Sequence, residues 1–134
     1  MGLYKGSYSS YPPGAYIPVI QGVSFNEPLA KISFLGDALI DTGADLSNIP
    51  RRIVGQHRIS IRDYVSVEWP DGSTKTCNVY YLEVCVPGLA PLIERFIDYG
   101  FDEIILGRPI LNSWRIVLDP FHKNPTGSEI EIED

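Results

Sequence analysis

From residue 17 onward the chain runs in short β-branched and aromatic stretches, each cut by turn-forming residues. The stretches cover residues 17–25, 29–35, 59–69, 74–86, 92–97, 103–106 and 115–119. They are too short and too evenly interrupted for amphipathic helices, and β-branched and aromatic residues fit a pleated, half-buried surface. Turns are marked by Asn26-Glu27-Pro28, Gly36-Asp37, Pro70-Asp71-Gly72-Ser73 and Asp119-Pro120. In the third of these, Asp-Gly supplies the positive φ of a tight hairpin. One helix start stands out, Gly107-Arg108-Pro109, because proline suits the first helical position, where its missing N–H has no partner anyway. The pattern predicts an all-β barrel or sandwich with one short C-terminal helix over 109–114.

Three stretches follow from texture. Residues 1–16 carry four of the eight tyrosines among Gly, Ser and Pro12-Pro13 without periodicity. They read as a flexible leader, with the alternative that their aromatics anchor in a binding groove. Residues 17–120 form the domain, and 121–134 an acidic tail. The tail's Glu129, Glu131 and Glu133 read as a solvated face, although their alternation with Ile is a strand period that a partner strand could recruit.

Composition removes several function classes. The chain of 134 residues has 11 basic and 17 acidic side chains, a net charge of -6, which disfavours a nucleic-acid binder. No apolar run approaches the roughly 20 residues that span a bilayer. The start MGLYKGSYSS lacks an apolar signal core, and Gly6 stands where a myristoylation signal has Ser or Thr. Two cysteines are too few for a disulfide scaffold. These features lead us to expect a cytoplasmic protein. His57, Cys77, Cys85 and His122 lack the close pairing of a zinc motif, so no metal site is expected. Cys77 and Cys85, eight apart on one strand, share a face and cannot bridge without a fold-back.

The chemistry concentrates in Ala38-Leu39-Ile40-Asp41-Thr42-Gly43-Ala44-Asp45. A carboxylate directly after an apolar strand, followed by Thr-Gly, suits a loop that fixes one acid, with Gly43 permitting close approach of a ligand. The same residues also suit an Asx turn, in which Asp41 only bonds nearby amides. Asp37, beside Gly36, reads as turn chemistry.

Asp41-Thr42-Gly43-Ala44-Asp45, preceded by Ala38-Leu39-Ile40, resembles the active-site loop of retropepsin-like aspartic proteases. A second segment, Ile104-Ile105-Leu106-Gly107-Arg108 followed by a short helix and Arg115-Ile116-Val117-Leu118, is similar to that family's Gly-Arg motif and closing strand. The two bracket residues 30–119, with bacterial rather than viral members the nearer likeness. Pro109 departs from the Asp or Asn of many relatives, the hairpin tip lacks the glycine richness of viral flaps, and the tail runs past the family's usual end.

The resemblance implies a closed β fold that is half of a bilobal protease. Asp41 from each of two subunits would then form the catalytic pair, since the sequence holds a single Asp-Thr-Gly. Thr42 would interlock with its twofold mate and Gly43 offer its backbone to substrate. Ala44, Asp45 and the hairpin residues Trp69, Pro70, Asp71, Gly72 and Ser73 would contact an extended peptide. Gly107 and Arg108 would support the loop, with a bidentate, partly buried Asp45–Arg108 ion pair; removing one partner would strand a charge at a cost of about 3–5 kcal/mol if burial were full. The expected partners are a second copy and a peptide, with no cofactor. A retropepsin-like dimeric protein-binding module with little or no turnover is the rival reading, and a metal-dependent hydrolase ranks last.

Overall fold

The computed structural model describes residues 2–10, 14–121 and 128–134. Ten strands and two short helices follow one another in these segments: β1 (Leu3–Gly6), β2 (Val19–Glu27), β3 (Ile32–Ile40), β4 (Ser47–Asn48), α1 (Arg51–His57), β5 (Asp63–Glu68), β6 (Thr74–Cys85), β7 (Leu92–Ile97), β8 (Ile104–Leu106), α2 (Arg108–Leu111), β9 (Arg115–Leu118) and β10 (Ile130–Glu133). Strands β2-β3-β8-β4-β7-β6 hydrogen-bond in that order, and β6 returns to β2, closing a six-stranded barrel. Closure removes the free edges that an open sheet would leave. β5 extends the sheet by pairing with the first half of β6, from Asp63↔Val79 to Glu68↔Thr74. The second half of the same edge pairs with β2.

The barrel core holds Ile20, Val23, Phe25, Leu82, Val84, Phe96 and Leu106, all inaccessible to solvent. Val79 and Tyr80 are both buried because β6 is covered on its two faces at that point. On the far side, Cys77, Val79 and Ile97 form a smaller cluster with Leu46, Val65, Val67 and Tyr99 packed against it.

Gly36-Asp37 is not a turn but lies inside β3. Opposite it, β2 shifts register between Ile20 and Val23, with Gly22 at φ +69°. A glycine inside a strand commonly marks such a bulge. Asp37 Oδ1 accepts the Gly22 N–H at 3.2 Å. A Cβ at Gly36 would stand 2.8 Å from Ile104 Cδ1, the movable end of that side chain. The reversal joining β2 and β3 instead spans residues 28–31.

The leader and tail also depart from expectation. β10 lies between β1 and β9 in a three-stranded antiparallel sheet, so Leu3–Gly6 is a strand and not a flexible leader. Ile130 and Ile132 are fully buried and join the barrel core, with Tyr4 and Tyr8 packed on it. Burying one face of β10 while its two edges pair is what recruits both ends of the chain. Glu129 is buried as well, so it does not belong to a solvated face. Pro12-Pro13 and His122 lie outside the described residues. Helix α1 was not signalled by the sequence and makes a second helix beside the C-terminal one. No helix among the described residues is long and apolar enough to cross a membrane.

Candidate active site

Parallel pairing of β3 with β8 sets Ala38, Leu39 and Ile40 against Ile104, Ile105 and Leu106. That register delivers Asp41 and Gly107, the first residues past each strand, side by side. The Asp41 N–H donates to the Leu106 carbonyl at 3.1 Å, and the Arg108 N–H to the Ala44 carbonyl at 2.9 Å. Between these bonds Gly107 presses so close that a Cβ would stand 2.7 Å from the Leu46 oxygen and 3.0 Å from the Ala44 oxygen. Glycine is therefore required there by space, its φ of -93° being open to any residue.

Within the loop, the Ala44 N–H donates to the Asp41 carbonyl at 3.1 Å. The Gly43 N–H donates to Asp41 Oδ1 at 3.0 Å. The Asx-turn geometry is thus present, and it fixes the carboxylate while leaving its second oxygen uncommitted to this turn. Asp41 is half-buried, whereas Thr42 and Gly43 are exposed. Arg108 Nη2 pairs with Asp45 Oδ1, but the side chains are 53% and 76% exposed, so the pair is not buried as expected. At that exposure solvent screens the two charges.

Behind the loop lies a polar group that the motifs did not indicate. Gly107 donates its N–H to Ser47 Oγ at 3.0 Å, and Ser47 Oγ–H donates to Glu94 Oε2 at 2.8 Å. Glu94 Oε1 accepts the Arg95 N–H at 2.9 Å, and the Ile110 backbone beside it favours the ionised form. Glu94 is buried, and burial pushes its carboxyl above the usual value. Asn48 works similarly on the next segment. Its Nδ2 donates to the carbonyls of Phe101 and Glu103 at 3.2 and 2.9 Å, and its Oδ1 accepts the Tyr99 N–H at 3.0 Å.

A cleft of about 400 Å³ opens in front of Asp41, lined by Ala44, Asp45, Leu46, Val67, Tyr99 and Phe101 among others. Its walls are mainly apolar and its rim carries Asp41, Asp45 and Glu68. The β5–β6 hairpin contributes Val67 and Glu68 to this lining. The hairpin closes by Trp69 N–H to Ser73 O at 2.7 Å and Gly72 N–H to Trp69 O at 2.9 Å, with Gly72 at φ +86°. Asp71 Oδ1 accepts the Ser73 N–H and Oγ–H, which hold its carboxyl below the usual value. Pro70, Asp71, Gly72 and Ser73 are exposed and do not line the cleft. Trp69 instead stacks on Tyr99 at 4.7 Å and 24°, and Tyr99 on Phe101 at 5.4 Å and 30°. The hairpin tip is thereby fastened to the cleft wall.

Of the four His and Cys candidates, His57, Cys77 and Cys85 lie among the described residues. His57 stacks on Phe34 at 4.7 Å. Cys77 is buried in the small cluster, Cys85 is half-buried, and both are free thiols. Among the described residues no three His, Cys, Asp or Glu side chains gather as metal ligands would. No protein-family model matches the chain, and no curated protein does.

Proposed function

We propose that the chain is one half of a homodimeric aspartic endopeptidase. The observation that carries this reading is a single fixed carboxylate, Asp41, at the mouth of an apolar cleft that a hairpin borders. One such acid cannot both activate water and polarise a carbonyl, so a twofold-related Asp41 completes the pair. Two adjacent carboxylates cannot both ionise cheaply and share one proton, aspartic proteases being the standard example. The ionised member takes a proton from water as that water attacks the scissile carbonyl. The protonated member hydrogen-bonds the carbonyl oxygen, and a proton then reaches the leaving nitrogen. Thr42 and Gly43, exposed in the single chain, would meet the second subunit and the substrate backbone respectively. An extended peptide would lie along the cleft with its side chains alternating between the apolar wall and the rim. No cofactor enters the scheme.

The stacking of Trp69 on Tyr99 supports a second reading, a dimeric protein-binding module whose hairpin stays fastened. Asp41→Asn separates the two, because asparagine keeps the size and loop bonds of a protonated aspartate but cannot take a proton. An endopeptidase should lose at least about a thousandfold of its peptide cleavage in that variant while its sedimentation stays dimeric. Undiminished cleavage would place the chemistry elsewhere. No cleavage by the native dimer, with peptide retained, would favour the binding module.

A further inference from the structure

We propose that Glu94 is a positioning residue for Asp41, acting through Ser47 and the backbone of Gly107. The inference rests on reading Asp41 as the working carboxylate. Glu94 lies on β7 with only 6% exposure, on the same side of the strand as Phe96. A carboxylate in such a place is costly unless its acceptor capacity is used. Here it is used on both oxygens, by the Ser47 hydroxyl at Oε2 and the Arg95 N–H at Oε1. An ionised carboxylate accepts from both without bringing a donor of its own, whereas glutamine would point an NH₂ at one of the two.

The direction of each bond then matters. Ser47 donates its O–H to Glu94, which fixes the hydroxyl so that its oxygen lone pair meets the Gly107 N–H. Gly107 is flanked by the two backbone bonds that hold the catalytic loop, Asp41 N–H to Leu106 O and Arg108 N–H to Ala44 O. It also lies against the carbonyls of Ala44 and Leu46. A shift of Gly107 therefore carries the Asp41 loop with it. A misplacement of about 1 Å at a reacting group can lower turnover by about a hundredfold. Glu94 thus holds Asp41 from behind without touching substrate.

Amide hydrogen exchange and turnover on the full chain test this in native protein, Glu94→Gln, Ser47→Ala and the double variant. Exchange at the Asp41, Ala44, Gly107 and Arg108 amides should rise by at least about tenfold in each variant, with the β5–β6 amides within about twofold of native. Where peptide is cleaved, kcat should fall by about a hundredfold with KM nearly unchanged, and the double variant should be no worse than either single one. Ser47→Thr, which keeps the hydroxyl, should restore both readouts, and it decides the matter alongside Ser47→Ala if Glu94→Gln fails to fold. Unchanged loop amides, an equal acceleration across the whole chain, or independent multiplication of the two single effects would overturn the role given to Glu94. A native dimer that cleaves nothing would count against the endopeptidase reading alone, because loop exchange still reports whether Glu94 holds Asp41.

Discussion

Arg108 and Asp45 meet in space as their motifs suggested, yet both side chains stand in solvent, and exposure changes the energetics. An exposed pair contributes roughly 0–1 kcal/mol, against the several kcal/mol lost when a buried charge is stranded. Arg108→Ala should therefore lower the stability of the single chain by no more than about 1 kcal/mol relative to Arg62→Ala, measured by urea unfolding. A difference of several kcal/mol at concentrations where only dimer exists would show that a second subunit covers the pair. Asp41, Gly107 and Arg108 were legible because they lie in short motifs with an unusual local composition. Glu94 was not. In Leu92-Ile93-Glu94-Arg95-Phe96-Ile97 it is Ile93 that faces solvent, 60% exposed, and Glu94 that shares the inner face with Phe96. The available signal was that inversion: a lone acid in register with an aromatic core residue.

The strand β7 matches its apolar run over Leu92–Ile97, and β6 begins at the Thr74 that follows the hairpin tip. Elements with clear alternation between turn residues were thus readable. Gly36-Asp37 misled because glycine serves turns, bulges and tight packing alike, and only the opposing strand tells them apart. Helix α1 escaped because it carries Gly55, no acidic residue in its first turn and no side-chain cap, and only Ile53 and Val54 pack on the core. Tertiary burial of those two residues outweighs the weak local propensity. The hairpin is the element whose mobility matters most for the proposed reaction. At its tip Trp69 stacks on Tyr99, a contact worth about 0.5–1.5 kcal/mol, and Lys75 Nζ donates to the Tyr99 carbonyl at 3.4 Å. A saturating peptide-like inhibitor should slow exchange across residues 69–73 and shift tryptophan emission, and Trp69→Phe should remove that shift while Trp114 remains. Unaltered exchange with the cleft occupied would mean that the hairpin is not its cover.

At the scale of the whole molecule, the all-β character was legible from the texture of the runs, but neither barrel closure nor the terminal sheet was. Closure depends on β6 meeting two strands along one edge, which no local pattern encodes. The terminal sheet joins residues at opposite ends of the chain, and Leu-Tyr-Lys-Gly has little strand signature by itself. What joins the ends chemically is Asp134, whose Oδ1 accepts the Gly2 N–H at 2.5 Å and whose Oδ2 accepts the Ala90 N–H at 2.6 Å. These bonds favour the ionised form and hold the carboxyl below its usual value of 3.8, with Ala90 the larger influence. The sign follows from linkage: the folded state binds this proton less readily than the unfolded state, so the stabilisation is complete above about pH 3.8 and fades as pH falls through the lowered value. Acid should therefore release the Gly2 and Ala90 amides and loosen β1 before the barrel opens. Asp134→Asn should reproduce that loosening at neutral pH, because its amide can accept through only one atom and does so without charge. Exchange at the β1 amides that bond β10 should then be several times faster than in the native chain, with β6 unaffected. The variant should also lose the native protein's further acceleration as pH falls below the ordinary carboxyl value of 3.8. An acid response that persists unchanged in Asp134→Asn would assign the terminal sheet's pH sensitivity to another carboxylate.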